Sequence, residues 1–190
     1  MPWRSQLTTA CRRTALRAAA DAERWAAKDV PRDRMMEKYT WNRLNHLQLG
    51  RYAEYLAKME FTLYGFGVYT AEVDDRGIDF VVRLSNSRYY DIQVKSSRSL
   101  HYIFFPKDKF DLRENLLAVV VIFVEDKDPQ LYLIPSMAWS EPNALFVSRN
   151  YEGKKSKPEW GLNLSQKNLP LLADFSFDKV VQRLLGHSKC

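Results

Sequence analysis

The chain has 190 residues, 46% of them hydrophobic, and a formal net charge of +6, the proportions of one folded domain carrying an extension. Its longest apolar run, Leu116 to Val124, is strand-sized, so no membrane-spanning helix is expected. Cys11 and Cys190 lie near opposite ends, which argues against a disulfide framework or a cysteine metal site, and a cytoplasmic protein is expected.

Residues 1–34 are rich in Ala and Arg and hold eight basic against four acidic side chains, so most of the net charge resides there. A helix is expected from about Thr9 to Lys28. The plainest reading is a peripheral extension; a basic arm for nucleic acid and an organelle-targeting peptide are the alternatives. Residues 35–190 then form a single domain with a core over about 47–134.

From Trp41 to Tyr64 the pattern is helical, with Leu49, Tyr52, Ala53, Leu56, Met59 and Leu63 on one apolar stripe and Gly65 as a stop. Glu54 edges that stripe, within a turn of Arg51 and Lys58, where an i,i+4 ion pair on a solvated helix face is the simplest role. Gly67 to Val73, the strand around Asp79 and the strand around Gln93 predict an antiparallel meander, with turns at Asp74 to Gly77 and Leu84 to Arg88. A short helix is expected near Lys107 to Arg113. Leu116 to Val124 is apolar on both faces, as in a strand buried between layers, and Gln130 to Ile134 is a returning strand. Tyr102 to Phe105 reads as packing rather than a base-stacking platform. Pro135 to Pro170 reads as turns and loops, with Arg149, Lys154, Lys155 and Lys157 as either phosphate contacts or a solvated surface. Phe177 to Leu185 reads as an amphipathic helix with Ser176 at its N-cap.

The informative stretch is Tyr89 to Lys95. Strand side chains alternate, so Tyr90, Ile92 and Val94 share an apolar face while Asp91, Gln93 and Lys95 line the other. Asp79, between Ile78 and Phe80, turns the same way on the preceding strand and can approach Gln93 and Lys95. Such a row is often the wet face of an antiparallel sheet. It also has the parts for a hard divalent cation: Asp79 as anchoring carboxylate, Gln93 as a neutral oxygen, and the Val94 backbone carbonyl as a further ligand. Lys95 would orient a water or stabilise charge on a phosphate. His46, His101 and His187 have no metal-ligand spacing.

Asp79 followed fourteen residues later by Gln93-Val94-Lys95 resembles the PD-(D/E)XK nucleases, the restriction-endonuclease-like superfamily. Within it the pattern is similar to branches using Gln-X-Lys, among them Mrr-type restriction enzymes and small intron-encoded homing endonucleases. Gly50 to Leu56 is similar to the helix that precedes the core in those branches and in archaeal Holliday-junction resolvases. The resemblance covers about Leu47 to Val124. It implies an α/β fold with a restriction-endonuclease-like αβββαβ core, a mixed central sheet flanked by helices. It further implies an Mg2+-dependent (or Mn2+-dependent) endonuclease acting on DNA, with RNA as the alternative substrate, and dimers are common among such enzymes. Glu54 would join Asp79 and Gln93 at the metal, Lys95 would assist the water, and Arg98 and the basic cluster would contact nucleic acid. Ile78 replaces the family's Pro, and Gln93 replaces an acid, which removes one negative charge from the metal site. A catalytically silent binding module on the same fold is the rival reading.

Overall fold

The computed structural model describes residues 38–70, 77–84, 88–153 and 155–186. The chain divides into residues 1–38 and 39–190, so the helix expected between Thr9 and Lys28 lies outside the described residues.

The first helix, α1 (His46–Leu63), begins where a capping box fixes it. The Asn45 side chain accepts from the Gln48 amide at 2.9 Å, and the Gln48 side chain accepts from the Asn45 amide at 2.8 Å. The helix was expected from Trp41; Trp41–Arg43 is instead a separate 3-10 turn, whose indole packs against the rings of Tyr52 and Phe123, which also meet each other. The buried stripe also differs from expectation. Leu49, Ala53, Ala57 and Phe61 face the core, whereas Met59 and Leu63 are 55% and 79% exposed. Two apolar stripes run along this helix, and the one with alanines wins the sheet because small side chains let the backbones approach: a Cβ on Gly50 would lie 4.0 Å from Ser96 Oγ.

The central sheet has strand order β1-β2-β3-β5-β6, from β1 (Gly67–Tyr69), β2 (Phe80–Arg83), β3 (Tyr89–Ser97), β5 (Leu116–Ile122) and β6 (Gln130–Pro135). The expected meander is present: β1 to β3 are antiparallel, and β3 then pairs parallel with β5. Antiparallel β6 closes the far edge. The result is an α/β fold with a mixed central sheet flanked by helices. β5 is buried along its whole length, and its alternate residues serve two cores. Leu117, Val119 and Val121 meet α1 and the C-terminal helix α3 (Phe177–Gly186).

The opposite face is covered by a second sheet that the loop reading of Pro135 to Pro170 missed. β4 (Tyr102–Pro106) leaves the central sheet and pairs with β8 (Glu159–Asn163), which pairs in turn with β7 (Phe146–Arg149). Strands of four and five residues among turn-formers leave too short a period to recognise. Ile103, Phe105, Phe146 and Leu162 point inward onto Leu116, Ala118 and Val120, with Trp139 in their midst donating to the Gly161 carbonyl at 2.8 Å. The helix expected near Lys107 to Arg113 is absent: the segment is a turn and extended chain. Phe110 there is fully buried against Phe105 and Trp139, a position an extended segment reaches without placing charged neighbours in the core. A four-residue helix, α2 (Leu169–Leu172), adds Leu172 to the same core. No helix among the described residues is long and apolar enough to cross a membrane.

Candidate active site at the opening of the central sheet

The register places Phe80 opposite Ile92, so Asp79 falls opposite Gln93. Asp79 is also where β2 parts from β3. Its amide donates to the Ile92 carbonyl at 2.9 Å, and its carboxylate Oδ2 accepts from the Val94 amide at 2.6 Å. A side chain thus continues a ladder that the β2 backbone has left. Among the described residues β3 is paired beyond it only on its β5 side, and strand alternation turns the Val94 carbonyl toward the other edge.

Upstream, the chain bends away at Gly77, which has φ 76° and is buried. Both the left-handed backbone and the lack of space require glycine: a Cβ here would come 3.1 Å from Gln93 Nε2 and 3.3 Å from Lys109 Cβ. Gly77 and Lys109 therefore wall in the Gln93 amide. Gln93 is 6% exposed, and among the described residues its buried Oε1 has no hydrogen-bond partner. Buried acceptors are seldom left so, since an unmet one costs about 1–3 kcal/mol.

Two positions along on the same face, Lys95 is half-buried, with Nζ 5.7 Å from the centroid of the Phe105 ring. Asp79, Gln93 and Lys95 are thus brought to one face of the opening, and neither Asp79 nor Lys95 is sealed from solvent. Asp91, which begins the same row, is held by the Arg113 guanidinium at the far end of the strand.

Glu54 lies on α1, which packs against the other face of the sheet. Gly50 meets Ser96, and two turns on the Lys58 ammonium lies 5.3 Å from the ring of Phe80, which pairs with Ile92. Eight helical residues and four strand residues span similar lengths, about 12 and 13 Å. Glu54, midway, comes level with Val94. Its side chain is 18% exposed and takes the Arg51 guanidinium at 2.6 Å, an i,i+3 pair rather than the expected i,i+4 pair on a solvated face. Among the described residues no three His, Cys, Asp or Glu side chains group so as to hold a metal. The oxygen donors at the opening are the Asp79 carboxylate, the Gln93 amide and the Val94 carbonyl.

The basic residues fall elsewhere. Arg98 is half-buried and donates to the Leu44 carbonyl, tying the end of β3 to the approach to α1. Arg149 stacks 4.3 Å from the centroid of the Tyr102 ring, Lys157 pairs with Asp108 at 2.7 Å, and Lys155 is exposed; Lys154 lies outside the described residues. The sequence reading missed Lys107, whose ammonium sits 4.0 Å over Trp160, because that residue was assigned to a helix. It also missed that β4 alternates, so that Phe105 packs inward while Phe104 is 51% exposed.

No protein-family model matches the chain, and no curated protein matches it. Among solved structures it is similar to Hjc, a Holliday junction resolvase from the archaeal hyperthermophile Archaeoglobus fulgidus. The two are 14% identical over 70% of this chain and 95% of that one, with a TM-score of 0.46. It is also similar to the bacterial homing endonuclease I-Ssp6803I, at 17% identity over 76% of this chain and 97% of that one, again with a TM-score of 0.46. Both likenesses are distant, concern the arrangement of helix and strands, and assign no residue a role.

Proposed function

We propose that the protein is a metal-dependent endonuclease that hydrolyses DNA phosphodiester bonds at the opening between β2 and β3. The observation that carries this reading is the buried Oε1 of Gln93, without a hydrogen-bond partner among the described residues and set on one face with Asp79 and Lys95. A hard cation such as Mg2+ or Mn2+ takes oxygen ligands and keeps several waters, and the donor set here is of that kind. Asp79, Gln93 Oε1, the Val94 carbonyl and Glu54 are the groups that would hold it. Bound there, the ion supplies Lewis acidity to a phosphoryl oxygen and lowers the pKa of a bound water.

The protein's own groups do the remainder. Asp79 is fixed by the Val94 amide, so it needs no reorientation when a ligand arrives. Lys95 rests on an aromatic face, which leaves its hydrogens available to a phosphate or to the attacking water. The test is plasmid nicking with Mg2+ by wild type and by Lys95→Ala. Loss of nicking by at least about a hundredfold in a folded variant is expected, and nicking that survives removes Lys95 from the site.

A second reading, a nucleic-acid-binding module without cleavage, is favoured by one set of facts. Gln93 brings no charge, and Glu54 and Asp91 are each held by an arginine. Calorimetric titration of Mg2+ into the protein with DNA present separates the two, because the module takes up no metal.

A further inference from the structure

The outer face of the second sheet carries a groove of about 280 Å³ lined by Phe104, Pro106, Ser156, Lys157, Pro158 and Glu159. That is just under the range of roughly 300–1,000 Å³ for pockets that take drug-sized ligands, and it suits a single ring system. Phe104, one of the lining residues, is 51% exposed. Glu159 lies across from Pro106 in the strand register and so shares this face. Its Oε1 accepts from both the Tyr102 and Tyr151 hydroxyls, each at 2.8 Å.

From these we infer that the groove binds an unpaired nucleobase, guanine above the others, with Lys157 on its phosphate. The two tyrosine hydroxyls occupy one carboxylate oxygen of this lining residue, which leaves Oε2 as its remaining acceptor. A carboxylate cannot donate, so it favours a base edge made of donors. Guanine offers adjacent N1–H and N2–H. Adenine and cytosine set an acceptor beside their amino group, and uracil and thymine flank their one N–H with two carbonyls. Phe104 supplies the stacking surface, a contact every base can make and which therefore gives affinity rather than choice. Lys157 pairs with Asp108, but both side chains are well exposed, at 75% and 50%. Such a pair is weak and exchanges readily for phosphate. Gly161 keeps the arrangement in place, because a Cβ there would fall inside Tyr102, the residue that orients Glu159. The site lies on the sheet face turned away from the β2/β3 opening and needs no metal, so it goes beyond the nuclease reading and can fail or hold independently of it.

The experiment is ligand-observed NMR titration of the full chain with guanosine, adenosine, cytidine and uridine 5′-monophosphates, at low salt with EDTA present. Guanosine monophosphate is expected to bind about tenfold tighter than the other three, the size of one hydrogen bond gained in place of a clash of acceptors. Phe104→Ala, which removes an exposed ring and leaves both cores intact, is expected to weaken binding about tenfold. Glu159→Gln keeps an acceptor for the tyrosine hydroxyls while turning a donor to the groove, and is expected to abolish the preference for guanosine monophosphate. Four nucleotides bound alike, no binding at all, or binding unchanged by Phe104→Ala would each overturn the assignment.

Discussion

The Asp79 carboxylate takes the place of a strand, accepting the Val94 amide that β2 would have paired had it continued. Substitution by Ala and by Asn should therefore part. Asp79→Ala leaves the Val94 amide unmet at a partly buried edge and should cost roughly 1–3 kcal/mol of stability. Asp79→Asn keeps an accepting oxygen and should stay within about 0.5 kcal/mol of wild type while losing Mg2+ affinity and nicking. Urea denaturation read beside metal titration checks both. Equal stability of the two variants would mean that the carboxylate does not hold the strand edge.

Gln93→Glu tests the missing charge. Restoring a carboxylate opposite Asp79 should strengthen Mg2+ binding on the order of tenfold, one step of about 1.4 kcal/mol. It should also lower metal-free stability by roughly 1–3 kcal/mol, since the new charge is buried beside another. Melting temperatures with and without Mg2+ should thus diverge more for the variant than for wild type. A variant insensitive to Mg2+ would argue that the Gln93 oxygen does not face a cation.

Gly161→Ala places a methyl group where the Tyr102 ring lies, although the backbone there is ordinary β. A loss of about 2 kcal/mol is expected, as for other overpacked sites. The clash is with one side chain, so Gly161→Ala should cost much less in a Tyr102→Ala background. Additive losses in that double-mutant cycle would mean that the Tyr102 ring is not what the methyl group meets.

Tyr64 ties the end of α1 to the start of α3 by donating to Asp178 Oδ1 at 2.6 Å. That hydrogen bond, more than burial, pushes the phenol pKa up to about 12. Because the folded value is the higher one, the stabilisation is whole below the ordinary phenol pKa of about 10 and fades as pH rises through about 12. Tyr64→Phe should cost roughly 0.5–1 kcal/mol at neutral pH, with the gap to wild type closing in alkaline titration followed by circular dichroism.

How much could be read from residues alone depended on period. β3 announced itself because polar and apolar residues alternate along it, and the same alternation gave the faces of Asp91, Gln93 and Lys95. β5 was legible as an unbroken apolar run. α1 was legible as a helix, yet its buried face was not, since tyrosines and a methionine made a second stripe as apolar as the alanine one. The second sheet was hidden because its strands come from distant places, and β4 gains its partner only after more than fifty residues. Which acids already have partners could not be read either: Asp91 with Arg113 is a tertiary contact, and Glu54 takes Arg51 three residues before it, where an i,i+4 pair was expected.

Phe104 and Phe105 are consecutive, and the pleat sends one to the outer groove and the other beneath the Lys95 ammonium. A single inserted or deleted residue in β4 would trade their destinations, burying the exposed ring and stranding the amine at one stroke. The two surfaces are geared together by parity, and the length of this one strand can change only in steps of two if both are to persist.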